Sequence, residues 1–272
     1  MINIGVFDSG VGGLWILKHL QSELSQNNYI FFADQGHVPY GERPMQEIRD
    51  FSEKISQFLI EKNCKIIVIA CNTASAAALI YLRQKFPEIL FVGMEPAVKP
   101  AVEITHTKKV GVLATPATFQ GELYNSVVER FASDVEIFQN TCPGLVKQIE
   151  KGEFESIETH MTLQQALLPM LEKNIDTVVL GCTHYPFVIQ QIKEITGGDI
   201  KIIDPTEAIV KRVEMLLKEK ENFILKNKFD KKDIEIFTSG NQDDMVVIAS
   251  KLLFKNVNIK KVNWTSDLRI II

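Results

Sequence analysis

Short apolar runs alternate with amphipathic ones along the first third of the chain. Residues 2–7, 29–33, 66–70 and 90–94 are continuous and β-rich, whereas 14–24 and 45–61 carry apolar residues at helical spacing. The Ala-rich stretch after Thr73 predicts another helix, stopped at Phe86-Pro87. Continuous apolar strands separated by helices predict a parallel sheet covered on both faces.

The pattern then begins again. Residues 109–114, 135–138, 177–180 and 201–203 form a second set of strands, with helices expected over 120–131 and 158–173. Pro169 is expected to kink the latter helix or start a new turn. An amphipathic helix over 207–220 passes into a charged run, 218–233, read as a solvated connection. The tail shows strand, helix and strand character over 234–237, 243–254 and 259–264, too little for a third domain, so it is expected to pack onto a lobe already made. The expected fold class is α/β, with two pseudo-symmetric lobes, each a mainly parallel sheet flanked by helices. Residues 1–96 with 207–272 make the first lobe, and 97–206 the second.

Two cysteines fall at the same point of this repeat. Cys71 follows Ile67-Val68-Ile69-Ala70 and Cys182 follows Val178-Val179-Leu180-Gly181, each read as ending a strand and opening a helix. A thiol at a helix start faces unpaired backbone N–H groups and the positive dipole end, which favours thiolate. Ile4-Gly5-Val6-Phe7-Asp8-Ser9 likewise parallels Val110-Gly111-Val112-Leu113-Ala114-Thr115 at nearly the same offset as the cysteines, as a duplication with small insertions would give. Two such lobes would place the active site in the cleft between them, with one thiol on each wall.

Composition narrows the partners. At 272 residues the chain can bury a substantial core, and a net charge of −4 with Lys and Arg dispersed among acids gives no general attraction to nucleic acid. No basic segment leads into an apolar signal core and no run is long enough to span a bilayer, so the cytoplasm is the expected location and no membrane partner is expected. There Cys64, Cys71, Cys142 and Cys182 are read as reduced thiols. None shows C-x-x-C spacing, which weighs against zinc and redox motifs.

Four motifs carry candidate chemistry. Asp8-Ser9-Gly10-Val11-Gly12-Gly13 joins a strand to a helix and offers backbone N–H groups to an anion, but its glycines are too close together for G-x-G-x-x-G; a tight structural turn is the alternative. Asp8 itself would orient a neighbouring thiol, grip an ammonium or cap the helix. Cys71-Asn72-Thr73 sets a thiol, an amide and a hydroxyl at a helix start, with a buried core cysteine before an ordinary cap as the plainer alternative. Cys182-Thr183-His184-Tyr185-Pro186 puts an imidazole two residues from the thiol, able to take or supply its proton; a Cys-x-His zinc site would lack companions. Pro39-Tyr40-Gly41 is a turn at the same sheet edge. His19, His37, His106 and His160 are read as partnerless, and Cys64 and Cys142 as structural.

In order and spacing these motifs, with Thr238-Ser239-Gly240, closely resemble the bacterial glutamate racemases across almost the whole chain. The resemblance implies a cofactor-independent isomerase of the aspartate/glutamate racemase superfamily that interconverts L- and D-glutamate and supplies D-glutamate for peptidoglycan, with no metal. It implies that Cys71 and Cys182 are acid/base thiols, assisted by Asp8 and His184 respectively. Substrate contacts would come from Asp8, Ser9, Tyr40, Gly41, Asn72, Thr73, Thr183 and His184. Thr118 matches a substrate-contacting threonine and Glu150 a carboxylate near the second thiol. Around them the chain departs from the usual pattern: Gly121 stands where serine is usual, and 142–150 lacks the common aromatic and second proline. A homodimer is frequent among such racemases.

Two thiols suit the chemistry, because racemisation removes a proton from one face of Cα and returns one to the other. The same thiols would equally serve a racemase of aspartate or a related amino acid. A non-catalytic amino-acid-binding module is the alternative from another class, and a thiol hydrolase would leave the second cysteine idle.

Overall fold

The computed structural model describes residues 2–95, 97–219, 234–252 and 258–272. The chain divides into two compact units: Met1–Met94 with Thr206–Ile272, and Glu95–Pro205.

The first unit begins β1 (Asn3–Asp8), α1 (Gly13–Glu23), β2 (Asn28–Ala33), α2 (Met45–Glu61), β3 (Cys64–Ile69), α3 (Asn72–Lys85) and β4 (Leu90–Gly93). The second unit follows as α4 (Val98–Ile104), β5 (Lys109–Ala114), α5 (Pro116–Gln120), α6 (Glu122–Phe131), β6 (Glu136–Asn140), α7 (Leu145–Glu150), α8 (Ile157–Leu171), β7 (Thr177–Gly181), α9 (Ile189–Thr196) and β8 (Lys201–Ile203). The chain then returns to the first unit with α10 (Thr206–Glu219), β9 (Ile234–Thr238), α11 (Gln242–Lys251), β10 (Asn258–Lys261), β11 (Asn263–Trp264) and β12 (Ile270–Ile271).

Both main sheets are parallel, and their strand orders repeat. The first runs β10-β9-β2-β1-β3-β4 and the second β6-β5-β7-β8, so β6, β5, β7 and β8 repeat the order of β2, β1, β3 and β4. Central strands lie under helices on both faces, which is why their residues are apolar without alternation; Ile66 to Ile69 and Val178 to Val179 are fully buried. The repeated glycine has a packing reason in each unit. A Cβ on Gly5 would stand 3.1 Å from Leu59, and one on Gly111 would stand 2.8 Å from Met170, so each lets a helix lie close on the first strand of its repeat.

Local breaks differ from expectation. The helix expected over 120–131 is interrupted at Gly121, whose extended backbone ends α5 and starts α6. α8 continues past Pro169, which lies in its last turn, because the carbonyl that loses its partner belongs to the exposed Gln165. The short helices α4 and α7 were not foreseen, and α9, expected to open at Cys182, starts only at Ile189. Most of the charged run 218–233 and the end of 243–254 lie outside the described residues. Among the described residues no helix is long and apolar enough to cross a membrane.

Candidate active site

Asp8 ends β1, and the turn after it curls back so that Gly10 N and Gly13 N donate to Asp8 Oδ2 at 3.3 and 2.9 Å. The turn requires Gly13: a Cβ there would lie 2.8 Å from that of Asp8 and 3.1 Å from that of Ala70. Ser9 donates to Asp8 Oδ1 at 3.5 Å, and Cys71 Sγ lies 3.7 Å from Ser9 Oγ. Ser9 therefore stands between the thiol and the carboxylate. Its hydroxyl proton can point to Asp8 while Cys71 is a thiol, or to sulfur when Cys71 is a thiolate.

Cys71 has extended backbone and is the N-cap of α3, with its sulfur accepting from Ala74 N at 3.5 Å. The helix start thus offers the sulfur a backbone N–H and a dipole end, which stabilise negative charge. Asn72 beside it is buried, yet among the described residues neither its side-chain oxygen nor its nitrogen has a hydrogen-bond partner. An amide left so costs about 1–3 kcal/mol, an expense that a bound polar ligand would remove. Thr73 is buried next to it.

Tyr40 and Gly41 lie buried in a single 3-10 turn. The Tyr40 hydroxyl donates to Asp34 Oδ2 at 2.6 Å, and burial together with the Asp34 charge keeps the phenol protonated well above its ordinary range. Asp34, one residue beyond β2, escaped the reading from sequence. Its signal was position, since an acidic residue at the carboxyl end of a parallel strand falls on the same edge as Asp8. His37 is not partnerless as expected: Nδ1 lies 2.9 Å from Asp34 Oδ2 and the ring stacks on Phe51.

In the second unit, Cys182 follows β7 but opens no α-helix. The chain turns through Thr183 and His184 into a 3-10 turn, Tyr185–Val188, containing Pro186, and α9 begins only at Ile189. This thiol therefore has no α-helix start behind it. In its place Cys182 Sγ stands 3.7 Å from His184 Nδ1, and His184 Nε2 stands 2.5 Å from Glu150 Oε1 at the end of α7. Burial alone would pull the imidazole's pKa down. The bonds to Cys182 and Glu150 outweigh it and hold His184 well above its ordinary value, so an imidazolium faces the sulfur.

Tyr185 OH donates to Thr141 O at 3.3 Å, which ties the turn after Cys182 to the segment leading into α7. Thr118 is buried in α5, where its N–H donates to the Thr115 hydroxyl at 3.3 Å. Thr115 follows β5, whose Ala114 pairs with Gly181, so Thr118 and Cys182 belong to neighbouring strand ends. Thr183 is buried. The remaining cysteines are in different chemistry: burial pushes the Cys64 and Cys142 thiols up to about 12, the latter helped by Cys182, and both stay protonated. Among the described residues no group of three His, Cys, Asp or Glu side chains is placed to hold a metal ion.

The family model described as Asp/Glu/Hydantoin racemase matches residues 16–213. The glutamate racemase of Pseudomonas paraeruginosa is 45% identical over 214 residues, which is 79% of this chain and 81% of that protein. The glutamate racemase of Sulfurovum sp. is 40% identical over 269 residues, 97% of this chain and 100% of that protein. Among solved structures, the glutamate racemase of Francisella tularensis in complex with D-glutamate superposes with a TM-score of 0.82 at 30% identity, covering 96% of this chain and 97% of that one.

Proposed function

The chain belongs to the Asp/Glu/hydantoin racemase family, and on that premise we propose that it interconverts L- and D-glutamate with Cys71 and Cys182 as its acid and base. The observation that carries this reading is the equivalence of the two thiols: each follows the equivalent strand of its sheet, and each has its own proton partner. The names and identities of the relatives support glutamate as the substrate.

In one direction the thiolate of one cysteine takes the Cα proton, and the electron pair it leaves spreads into the substrate carboxylate. The thiol of the other cysteine then delivers its proton to the opposite face. The site is left with the two protonation states exchanged, ready for the reverse direction. At Cys71 the charge is held by Ala74 N–H, the Ser9 hydroxyl and the start of α3; at Cys182 it is held by the His184 imidazolium.

Fixed dipoles stabilise the carbanion, and the reaction draws on no cofactor or metal. Asn72 and Thr73 beside the first thiol, and Thr118, Thr183 and His184 beside the second, are the proposed substrate contacts, with Asp8, Ser9, Tyr40, Gly41 and Glu150 completing the set. Supply of D-glutamate for peptidoglycan, residence in the cytoplasm and a homodimer complete the reading.

The experiment is NMR of the protein with L-glutamate, and separately L-aspartate, in D2O, following loss of the Cα proton beside optical rotation. Exchange with loss of rotation for glutamate is expected. Exchange with aspartate alone would keep the two-thiol chemistry and change the substrate, while no exchange with either would favour a binding module.

A further inference from the structure

Resting on that functional reading, we propose that Ser239 and Trp264 are positioning residues: acting through Asp34, they set the turn Tyr40-Gly41 against the substrate. Asp34 is fully buried, and four side chains donate to its carboxylate: Tyr40 OH at 2.6 Å, Ser239 Oγ at 2.7 Å, Trp264 Nε1 at 2.7 Å and His37 Nδ1 at 2.9 Å. A carboxylate at that depth is tolerated when its lone pairs are filled, and here each oxygen holds at least two donors. Two of the four come from residues more than 200 positions away.

The motif Thr238-Ser239-Gly240 thereby gains a role beside the substrate turn. Ser239 Oγ accepts from Gly36 N at 2.9 Å while giving its proton to Asp34, and Thr238 Oγ1 donates to Gln35 Oε1 at 2.8 Å. A Cβ on Gly240 would lie 2.6 Å from that of Gln35, so glycine is what lets the two chain segments meet. Trp264 adds ring packing to its hydrogen bond, with its centroid 5.5 Å from Phe51 and 5.2 Å from His37. Phe51 also lies against Tyr40, and Arg43 Nε donates to His37 O at 2.5 Å. Asp34 is thus clamped from the C-terminal side and in turn clamps Tyr40.

A chemical consequence follows for the substrate turn. The one proton of the Tyr40 hydroxyl is committed to Asp34, so this phenol cannot donate to a ligand. What the turn offers is its ring, its phenol oxygen as an acceptor, and backbone N–H groups whose position depends on where Asp34 holds Tyr40. Loosening Asp34 weakens substrate binding before it touches proton transfer at the thiols.

Trp264→Phe keeps the ring and removes the donor; Ser239→Ala removes the other. Each is expected to raise KM for glutamate about fivefold to tenfold with kcat within about twofold of wild type, the size of one ordinary hydrogen bond. Trp15→Phe, which alters a ring lying against His19, is expected to leave both constants unchanged. Because the chain has two tryptophans, that background leaves Trp264 as the sole indole, and its fluorescence is expected to change on titration with D-glutamate. Wild-type KM in Trp264→Phe and Ser239→Ala would overturn the positioning role, even if their melting temperatures fall, as would fluorescence indifferent to D-glutamate in an active protein. Absence of Cα exchange in the wild type would instead bring down the functional reading, and the positioning role with it.

Discussion

The two thiol environments occupy equivalent places in repeated sheets, yet they handle charge differently. Cys71 relies on neutral groups: a helix start, one backbone N–H and a serine hydroxyl backed by Asp8. Cys182 has no α-helix behind it and relies on a charged relay, His184 and Glu150. The difference teaches that a duplicated strand fixes where a thiol stands but not how its negative charge is balanced. Dipoles and hydroxyls do not lose their effect as pH rises; an imidazolium does, as pH passes through its raised value, so sensitivity to alkaline pH should reside on the Cys182 side.

The strongest way to break that comparison is to remove each thiol. Cys71→Ser and Cys182→Ser should each lower racemisation about a hundredfold to ten-thousandfold while far-UV circular dichroism stays that of the wild type. Enantiomers have equal free energy, so kcat/KM must fall alike in both directions and cannot by itself tell the thiols apart. Elimination of HCl from a β-chlorinated glutamate can, because it needs one base: the base takes the Cα proton, chloride leaves Cβ, and no second proton is delivered. Each variant should eliminate from one enantiomer only, and a variant that served both would show that the thiols do not divide the two faces.

Glu150→Gln tests the charged relay. It should lower racemisation about tenfold or more and, in elimination, affect only the enantiomer served by Cys182. The His184 titration, followed by NMR, should move to lower pH. Stability should follow. His184 has its raised value in the folded state, so its contribution is complete below the ordinary 6.5 and is lost as pH rises through the raised value; Glu150→Gln should bring that loss to lower pH. An unchanged titration would remove the distinction between the two environments.

Asn72→Ala should raise KM about tenfold, since a hydrogen-bonded substrate would lose its partner. Thermal stability without substrate should stay level or rise, because a buried amide without partners is being removed. A fall of several degrees would show that Asn72 is structural. Gly13→Ala and Gly181→Ala are expected to lower stability. Each would force a Cβ to 2.8 Å from its neighbour, beside Asp8 in one unit and Ala114 in the other, and should cost about 1–3 kcal/mol in denaturant unfolding.

Much of this arrangement is legible in the chain itself, for a physical reason. Strands buried on both faces must be apolar throughout, so the cores of β1, β3, β5 and β7 stand out, and the residues just beyond them, Asp8, Cys71 and Cys182, are placed with them. Short elements do not announce themselves: α7 spans only Leu145–Glu150, less than two turns, too little for periodicity to emerge. The different setting of Cys182 was hidden because Pro186 suits a 3-10 turn as readily as an α-helix. Asp34 was hidden for another reason. Two of its donors, Ser239 and Trp264, come from the distant end of the chain, and only the fold brings them to the end of β2.

The first unit is assembled from both ends of the chain, while the second is one uninterrupted stretch. A nascent polypeptide emerges N-terminus first, so the second unit can complete its fold while translation continues. The first cannot: β9 and β10 extend its sheet beyond β2, and they leave the ribosome after the whole of the second unit. Until then Asp34 lacks two of its four donors, and the turn it holds has no fixed place. Cys71 is among the earlier residues to be made, yet the unit around it is completed after the second, so a prematurely released chain would carry finished surroundings for Cys182 and unfinished ones for Cys71.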